Sequence, residues 1–176
     1  MIIGLSGYAR SGKDTVAQYL VEHYGYERIA FADPIKNLLL EMNPILYNGG
    51  RLSSLVRDYG WDVAKANSEV RRLLQSLGLG ARTVLDKDVW VSHAMLNIMD
   101  ITKNYVITDV RFKNEAEMIK SLYGEVWRVK RIGVDPVNSH VSESELDGWK
   151  FDQIISNYGT LDELHFLINT RMRSYA

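Results

Sequence analysis

The sequence lacks several features, and each absence excludes a class of protein. None of its 176 residues is cysteine, which excludes a disulfide scaffold and any zinc site built on thiolates. No apolar run approaches the roughly 20 residues that a helix needs to span a bilayer, so we expect no membrane partner. Residues 1–6 lack the basic start and long apolar core of a signal peptide. We therefore expect Met1 to begin the mature protein and the reducing cytoplasm to be its location.

An excess of charge of either sign is missing as well. The chain carries 21 basic and 22 acidic side chains, a formal net charge of -1. A general nucleic-acid binder needs many lysines and arginines to neutralise phosphates, so we expect no nucleic-acid polymer as a partner. A local basic pocket for one small phosphorylated ligand is compatible with this balance.

The composition is otherwise that of an ordinary globular protein. Hydrophobic residues make up 46% and charged residues 24%, which excludes intrinsic disorder and fibrous repeats. There is no internal repeat and no low-complexity segment. The length fits one domain, so we predict a single domain over residues 1–176.

Short apolar segments alternate with helical patterns along the chain. The predicted strands cover residues 2–6, 28–32, 104–108, 125–130 and 153–156. The predicted helices cover residues 14–24, 34–42, 66–78, 86–99 and 113–122, and the capping boxes Ser142–Glu145 and Thr160–Glu163 mark two later helix starts. Asp33 is predicted as the N-cap of the second helix, and residues 43–62 are the least regular part. The alternation predicts an α/β fold, a mostly parallel sheet with helices on both faces that binds ligands beyond the carboxyl ends of its strands.

The strongest functional signal is Gly7-Tyr8-Ala9-Arg10-Ser11-Gly12-Lys13-Asp14-Thr15, between the first strand and the first helix. We call this segment the phosphate loop, because it matches G-x-x-x-x-G-K in the context that the motif requires. Its glycines permit a tight turn in which successive N–H groups point at phosphate oxygens, and the helix dipole adds to the attraction. Lys13 can reach the β- and γ-phosphates of a nucleotide. The alternative is a glycine-rich turn with a solvated lysine. The residues expected to bind the nucleotide are Gly7, Ala9, Arg10, Ser11, Gly12, Lys13, Asp14 and Thr15.

Two acids and a hydroxyl are candidates for binding magnesium. Asp14 occupies the position where the motif usually has a serine or threonine, and Thr15 follows it. Either Asp14 binds the cation, or Asp14 only complements the helix dipole while Thr15 serves the phosphate or metal. Asp109 ends an apolar strand, as in the Walker B element that holds magnesium or its water.

Several polar residues are candidates for the acceptor side of a phosphate transfer. Asp33 and Lys36 follow the second strand, where an acid and a base can orient an acceptor and bind its phosphate. The alternative is that Asp33 serves only as an N-cap. In the helix over 66–78, Arg71 and Gln75 share a face, and Arg72 lies beside them. A solvated helix face is the alternative for these three residues.

Three further basic residues and one tryptophan complete the candidate set. Arg111 lies just after the strand that ends in Asp109. Lys130 and Arg131 lead from a strand into an irregular stretch, which can close over transferring phosphates and exclude water. Trp90 is expected to supply apolar packing, with base stacking as the less favoured use.

Seven sequence blocks, in order along almost the whole chain, resemble the phage-type deoxynucleoside monophosphate kinases of the P-loop nucleoside-monophosphate-kinase superfamily. The blocks lie at residues 7–15, 31–36, 72–78, 88–91, 108–115, 140–143 and 155–161. The resemblance implies a P-loop kinase fold, a five-stranded parallel sheet flanked by helices. It also implies a helical monophosphate-binding insertion at about 36–99 and a lid at about 131–145.

The same resemblance implies an activity. The γ-phosphate of ATP, with Mg²⁺, would pass directly and in line to a deoxynucleoside 5′-monophosphate, without a covalent intermediate. It implies that Lys13 grips the donor phosphates and that Asn157 packs near the donor adenine. It implies that Lys36, Arg71 or Arg72 and Arg111 hold the acceptor, and that Lys130 and Arg131 belong to the lid side. Asp33, Gln75, Trp90 and Asp109 are the further candidates for binding the acceptor, and Asp33, Arg111 and Arg131 are candidates for catalysis. The partners would be small nucleotides in the cytoplasm (the host's, for a phage-encoded chain), and a monomer or a homodimer is compatible.

Two other functions share the phosphate loop. A dephospho-coenzyme A kinase has a ribose hydroxyl as acceptor and needs a base, for which Asp33 is available. The second is a regulatory or packaging module that binds ATP but transfers no phosphate. In such a module, the acids and arginines on the acceptor side would have no role. The blocks at residues 72–75 and 109–112 favour the nucleotide kinase.

Overall fold

The structure is a computed structural model that describes residues 1–98, 100 and 102–175. These residues divide into two compact units. The first unit combines Met1–Ala30 with Ala94–Ala176, and the second unit is Phe31–His93. None of the helices described in these ranges is long and apolar enough to cross a membrane.

The first unit contains one five-stranded sheet. Its strands are β1 (Ile2–Ser6), β2 (Glu27–Ile29), β3 (Tyr105–Ile107), β4 (Glu125–Lys130) and β5 (Gln153–Ser156). Every neighbouring pair is parallel, in the order β2-β3-β1-β4-β5. The predicted five-stranded parallel α/β fold is therefore confirmed. The second strand is shorter than predicted because a helix begins at Ala32, inside the predicted range.

The chain forms eight described α-helices, with one 3₁₀ helix at Arg173–Tyr175. In chain order the α-helices are α1 (Lys13–Tyr24), α2 (Ala32–Met42), α3 (Leu52–Ala66), α4 (Ser68–Val84), α5 (Val89–Asn97), α6 (Lys113–Ser121), α7 (Val141–Ser144) and α8 (Leu161–Met172). The predicted helix over 86–99 corresponds to α5, and its last residue, Met99, lies outside the described residues.

Alternating residues of β1 bury against helices on opposite faces of the sheet. Ile3 and Leu5 belong to a core that includes residues of α1 and α8, with the fully buried Trp127 of β4 among them. On the other face, a Cβ on Gly4 would come 2.4 Å from Cδ1 of Ile119, so α6 packs directly on the strand. Both faces of β1 are thus covered, as a parallel sheet requires.

The second unit contains a helix that the sequence analysis missed. Residues 43–62 were expected to be irregular, but α3 begins at Leu52. The helix is kinked at Gly60, whose φ of 77° and ψ of 169° are not helical, and this break hides its periodicity. Leu52 is fully buried in a core shared with α2 and α4. Next to it, α4 begins at the N-cap Asn67 and continues well past the predicted end, through two glycines.

Two of the predicted helix starts are wrong and one is confirmed. Asp33 is not an N-cap, because α2 already begins at Ala32 and Asp33 lies in its first turn. Ser142 does not cap α7; the ring nitrogen Nδ1 of His140 accepts the Ser142 N–H at 3.2 Å instead. The capping box at Thr160 forms as predicted.

Candidate active site

The phosphate loop joins β1 to α1, and its backbone requires glycine at two positions. Gly7 has a φ of 148°, and a Cβ there would come 2.4 Å from the backbone oxygen of Val129. Gly12 has a φ of 103°, and a Cβ there would come 2.4 Å from Nδ2 of Asn157. The exposed Arg10 between them also has a positive φ, 66°. The two glycines of the motif therefore allow both the turn and the close approach of neighbouring chain segments.

Asn157, which follows β5, holds the loop from the side. Its amide Nδ2 donates a hydrogen bond to the backbone oxygen of Ser11 at 2.9 Å. Its own backbone N–H donates to the oxygen of Lys130 at 2.8 Å. Asn157 was predicted to lie near a bound adenine, and the structure gives it a contact with the loop itself.

Lys13 turns back onto the loop that precedes it. Its Nζ donates to the backbone oxygens of Gly7 and Tyr8, at 2.7 and 2.8 Å. Burial, and then the nearby guanidinium of Arg111, lower the pKa of Lys13 to about 8, against the opposing effect of acidic neighbours. An anion bound here would favour the charged form of this ammonium.

Two observations indicate that the loop is prepared for a ligand. The side chain of Ser11 is buried, with the residue 1% exposed, and its hydroxyl has no hydrogen-bond partner within the described part of the chain. A buried hydroxyl without a partner is costly, which a ligand oxygen would relieve. In addition, α1 starts at the cap position Gly12, which has no side chain to cap the helix. The N–H groups of its first turn are then available to a phosphate.

The candidate magnesium ligands surround Lys13. The carboxylates of Asp14 and Asp109 both raise the pKa of the Lys13 ammonium, so both lie close enough to Lys13 to act on it electrostatically. Asp14 is exposed, and the hydroxyl of Thr15 is next to it in α1. Carboxylate and hydroxyl oxygens suit a hard cation. No cluster of three or more metal-binding side chains occurs among the described residues.

Arg111 is held by an acid that the sequence analysis did not single out. Its Nη1 lies 2.7 Å from Oε1 of Glu143, whose side chain is only 6% exposed. The backbone N–H of Arg111 donates to Glu115 at 2.8 Å. Arg111 and Glu143 both affect the pKa of Lys13. This ion pair therefore lies near the phosphate loop.

The other predicted residues of the first unit lie at the end of β4. Lys130 and Arg131 are both exposed. The Lys130 carbonyl accepts the bond from Asn157 described above, which places this strand end beside the loop. Their predicted action on transferring phosphates stays a prediction.

The second unit holds the remaining acceptor-side candidates. Nζ of Lys36 lies 2.7 Å from Oδ1 of Asp33, one turn earlier in α2. In α4, Arg71 donates through Nη2 to the backbone oxygen of Lys65 at 3.0 Å. Arg72 is exposed, and its Nη2 lies 3.4 Å from the hydroxyl of Tyr47. Gln75 shares the α4 face with Arg71, as their spacing predicts.

Trp90 supports the packing interpretation. It is buried, at 7% exposure, and its indole N–H donates to the backbone oxygen of Gly78 at 2.9 Å. Gly78 in turn brings α4 close to α2, since a Cβ there would lie 3.2 Å from Cδ1 of Ile35. Trp90 is thus buried with its indole N–H group satisfied.

A second group near the loop was also missed. Arg128 of β4 is buried against Tyr8 of the phosphate loop and pairs with Asp147. The signal in the sequence was a charged residue between the apolar residues Trp127 and Val129 of the strand Glu-Val-Trp-Arg-Val-Lys. Such a residue needs partners in a buried sheet.

Comparisons with known proteins point to one family. The sequence model of the family described as deoxynucleotide monophosphate kinase matches residues 1–59 and 53–168. A protein of Acanthamoeba polyphaga mimivirus, to which the same activity is provisionally ascribed, is 33% identical over 94% of this chain and 92% of its own length. The deoxynucleotide monophosphate kinase of Enterobacteria phage T4 is 24% identical over 98% of both chains. That of Escherichia phage RB69 is 34% identical over 59% of this chain and 45% of its own.

Proposed function

Because the chain belongs to the deoxynucleotide monophosphate kinase family, we propose that it transfers the γ-phosphate of ATP to a deoxynucleoside 5′-monophosphate. It is a nucleotide kinase, and its substrates are small nucleotides. The proposal adds that the donor is ATP, that Mg²⁺ is required and that the enzyme works in the cytoplasm, the host's for a phage-encoded chain. The observation that carries it is the phosphate loop, with Lys13 bonded to its carbonyls and a helix start whose cap residue, Gly12, has no side chain.

The first unit supplies the donor side. On binding ATP, Lys13 exchanges its bonds to two loop carbonyls for bonds to the β- and γ-phosphates. The N–H groups at the start of α1 and the hydroxyl of Ser11 bind further phosphate oxygens. Asp14, Thr15 and Asp109 would hold Mg²⁺, which supplies positive charge against the phosphates. The loop thereby fixes the donor before transfer.

The transfer itself needs charge and position rather than a covalent intermediate. An oxygen of the acceptor phosphate forms a bond to the γ-phosphorus as the bond to the bridging oxygen of ADP breaks. Lys13, Arg111 and Arg131 stabilise the negative charge on the moving group. The Arg111 guanidinium is oriented for this by the buried carboxylate of Glu143.

The second unit supplies the acceptor side. Lys36 and one of the arginines Arg71 and Arg72 bind the acceptor phosphate, and Gln75 pairs with an edge of its base. Asp33 orients the acceptor and holds the Lys36 ammonium at 2.7 Å. The choice between bases lies in this unit.

A coupled assay of ADP release tests the proposal. The full chain is given ATP and Mg²⁺ with dGMP, dTMP, dCMP, dAMP or dephospho-coenzyme A in turn. We expect turnover with at least one deoxynucleotide and none with dephospho-coenzyme A. Turnover with dephospho-coenzyme A alone would assign the chain to that kinase, and a folded protein that binds ATP without any turnover would be a non-catalytic module.

A further inference from the structure

Arg128 is a buried charge that the transfer reaction does not use. It lies within β4, and its side chain is only 8% exposed. The parallel register sets it beside Ser6, the last residue of β1 before the phosphate loop. Burying a guanidinium is costly unless it is fully paired, so its partners indicate why it is there.

The Arg128 guanidinium makes two hydrogen bonds and lies over two aromatic rings. Nη2 donates to Oδ1 of Asp147 at 2.9 Å, and Nη1 donates to the Ser6 hydroxyl at 3.2 Å. Its central carbon lies 4.6 Å from the centre of the Tyr8 ring and 5.5 Å from that of Phe151. Arg128 therefore contacts both the strand that leads into the loop and a side chain of the loop itself.

Tyr8 connects this group to the donor site. Its hydroxyl donates to Oδ1 of Asp147 at 3.0 Å. Burial, and then this hydrogen bond, raise the pKa of the Tyr8 phenol, so it remains a donor. At the other end of the residue, the Tyr8 carbonyl accepts bonds from Nζ of Lys13 at 2.8 Å and from the N–H of Ser11 at 3.2 Å. The ring of Tyr8 is thus fixed by the Arg128 guanidinium, and the carbonyl of Tyr8 contacts the Lys13 ammonium.

We propose that Arg128 is a positioning residue of the phosphate loop, which acts on the donor phosphates through Tyr8. Its planar guanidinium stacks on the Tyr8 ring while it binds Asp147 and Ser6, and so it fixes the backbone that presents Lys13. A lysine keeps the charge, but it has no plane for stacking, and its donors all lie on one nitrogen instead of two. This inference rests on the proposed function of the loop in binding ATP.

The first test is the variant Arg128→Lys in the full chain. We expect the dissociation constant for ATP, measured by isothermal titration calorimetry with Mg²⁺, to rise about tenfold, because small misplacements of binding groups are costly. We expect kcat to fall as well, while KM for the deoxynucleotide changes less than about twofold, since Arg128 contacts Ser6, Tyr8, Asp147 and Phe151, none of which is proposed to bind the acceptor. This division between the two substrates separates positioning of the loop from a general loss of structure.

The matched control is Arg171→Lys, which changes an equivalent group away from the loop. Arg171 binds Glu125 through Nη2 at 2.8 Å, and its guanidinium lies 4.7 Å from the ring of Tyr175. It is thus also an arginine between a carboxylate and a tyrosine. We expect it to lower the melting temperature and to leave the dissociation constant for ATP unchanged.

Two loop variants keep the test decisive even where Arg128→Lys does not fold. Tyr8→Leu removes the stacked ring and should reproduce the tenfold effect on ATP, whereas Tyr8→Phe loses only the bond to Asp147 and should weaken ATP binding less. Wild-type affinity in folded Arg128→Lys or Tyr8→Leu would overturn the proposal. Equal losses of ATP affinity in Arg128→Lys and Arg171→Lys would overturn it too.

The outcomes also separate this inference from the proposed function. Wild-type turnover with a deoxynucleotide tests the function of the enzyme. The ratio of ATP dissociation constants between Arg128→Lys and wild type tests the positioning role, and it is measurable in a chain that binds ATP without transferring phosphate.

Discussion

Glu143 holds Arg111 through a contact of 2.7 Å between Oε1 and Nη1. The carboxylate is nearly fully buried, at 6% exposure of its side chain, while the arginine side chain is 39% exposed. The buried Glu143 therefore fixes the direction of the more exposed Arg111. The pair lies near Lys13, whose pKa both residues affect.

The variant Glu143→Gln is expected to lower kcat. It keeps the shape of the side chain but removes the charge that orients Arg111, so the guanidinium loses its fixed direction. We expect kcat to fall by about tenfold or more, with a smaller change in KM for ATP, in steady-state assays. The control is Glu117→Gln, which removes the same charge from an exposed position of α6. An equal effect of both variants would mean that net charge, not orientation, is responsible.

ATP binding is expected to weaken as the pH rises through about 8. The pKa of Lys13 is about 8 in the free protein, chiefly because of burial, so the ammonium loses its proton above this value. Phosphate favours the charged form, and binding should therefore take up a proton. One pH unit above the pKa, affinity should be about tenfold lower than well below it.

Calorimetry in two buffers of different ionisation enthalpy measures this proton uptake. The control is Lys13→Arg, whose guanidinium stays charged throughout this range. It should bind ATP without proton uptake near pH 8. A wild-type protein that takes up no proton there would show that Lys13 is already fully charged or does not contact the phosphates.

The variant Gly12→Ala is expected to disrupt ATP binding. Its φ of 103° disfavours a side chain, and the new Cβ would meet Nδ2 of Asn157 at 2.4 Å. We expect a loss of affinity of at least about tenfold, measured by titration with ATP, because the loop must shift where it meets the phosphates.

Gly25→Ala is the matched control at the other end of α1. Gly25 also has a positive φ, 67°, but its Cβ would meet nothing within 4 Å. It should lower the free energy of unfolding by about 1 kcal/mol, from backbone strain alone, and leave ATP affinity unchanged. Loss of ATP binding in this variant as well would attribute the Gly12→Ala effect to helix stability.

The variant Lys36→Met is expected to raise KM for the deoxynucleotide. It removes the ammonium proposed to bind the acceptor phosphate and leaves the donor loop intact. We expect an increase of about tenfold or more in KM for the acceptor, with the dissociation constant for ATP unchanged.

Lys65→Met is its control, because Lys65 forms the same kind of pair with Asp62, three residues earlier, at 3.2 Å. Loss of that pair should leave both substrates unaffected, as exposed ion pairs contribute little. If KM for the acceptor were unchanged in Lys36→Met, Lys36 would have no part in the acceptor site.

Features of the fold and the site could be predicted where the residues that determine them are close together in the sequence. The phosphate loop is contiguous, and its glycines are readable because their backbone conformation and close contacts leave no room for a side chain. Parallel strands that alternate with helices likewise follow from short-range pattern. The place of the loop between β1 and α1 and the parallel sheet with its helices were therefore predicted correctly.

The parts that were missed depend on contacts between distant segments. Glu143 meets Arg111 across 32 residues of sequence, and Arg128 meets Ser6 across 122. Neither pairing is visible without the register of the sheet and the path of the chain around α7. The helix α3 was missed for a local reason, since the kink at Gly60 interrupts its period.

The most direct test of the central claim is to follow the γ-phosphate itself. ATP labelled in its γ-phosphate is incubated with Mg²⁺, a deoxynucleoside monophosphate and either the wild-type chain or Lys13→Met, and the products are separated. We predict that the label appears in the deoxynucleoside diphosphate with the wild-type chain, is never bound covalently to the protein, and is not transferred by Lys13→Met. Label that stays in ATP with every deoxynucleotide, or transfer by Lys13→Met at the wild-type rate, would contradict the account.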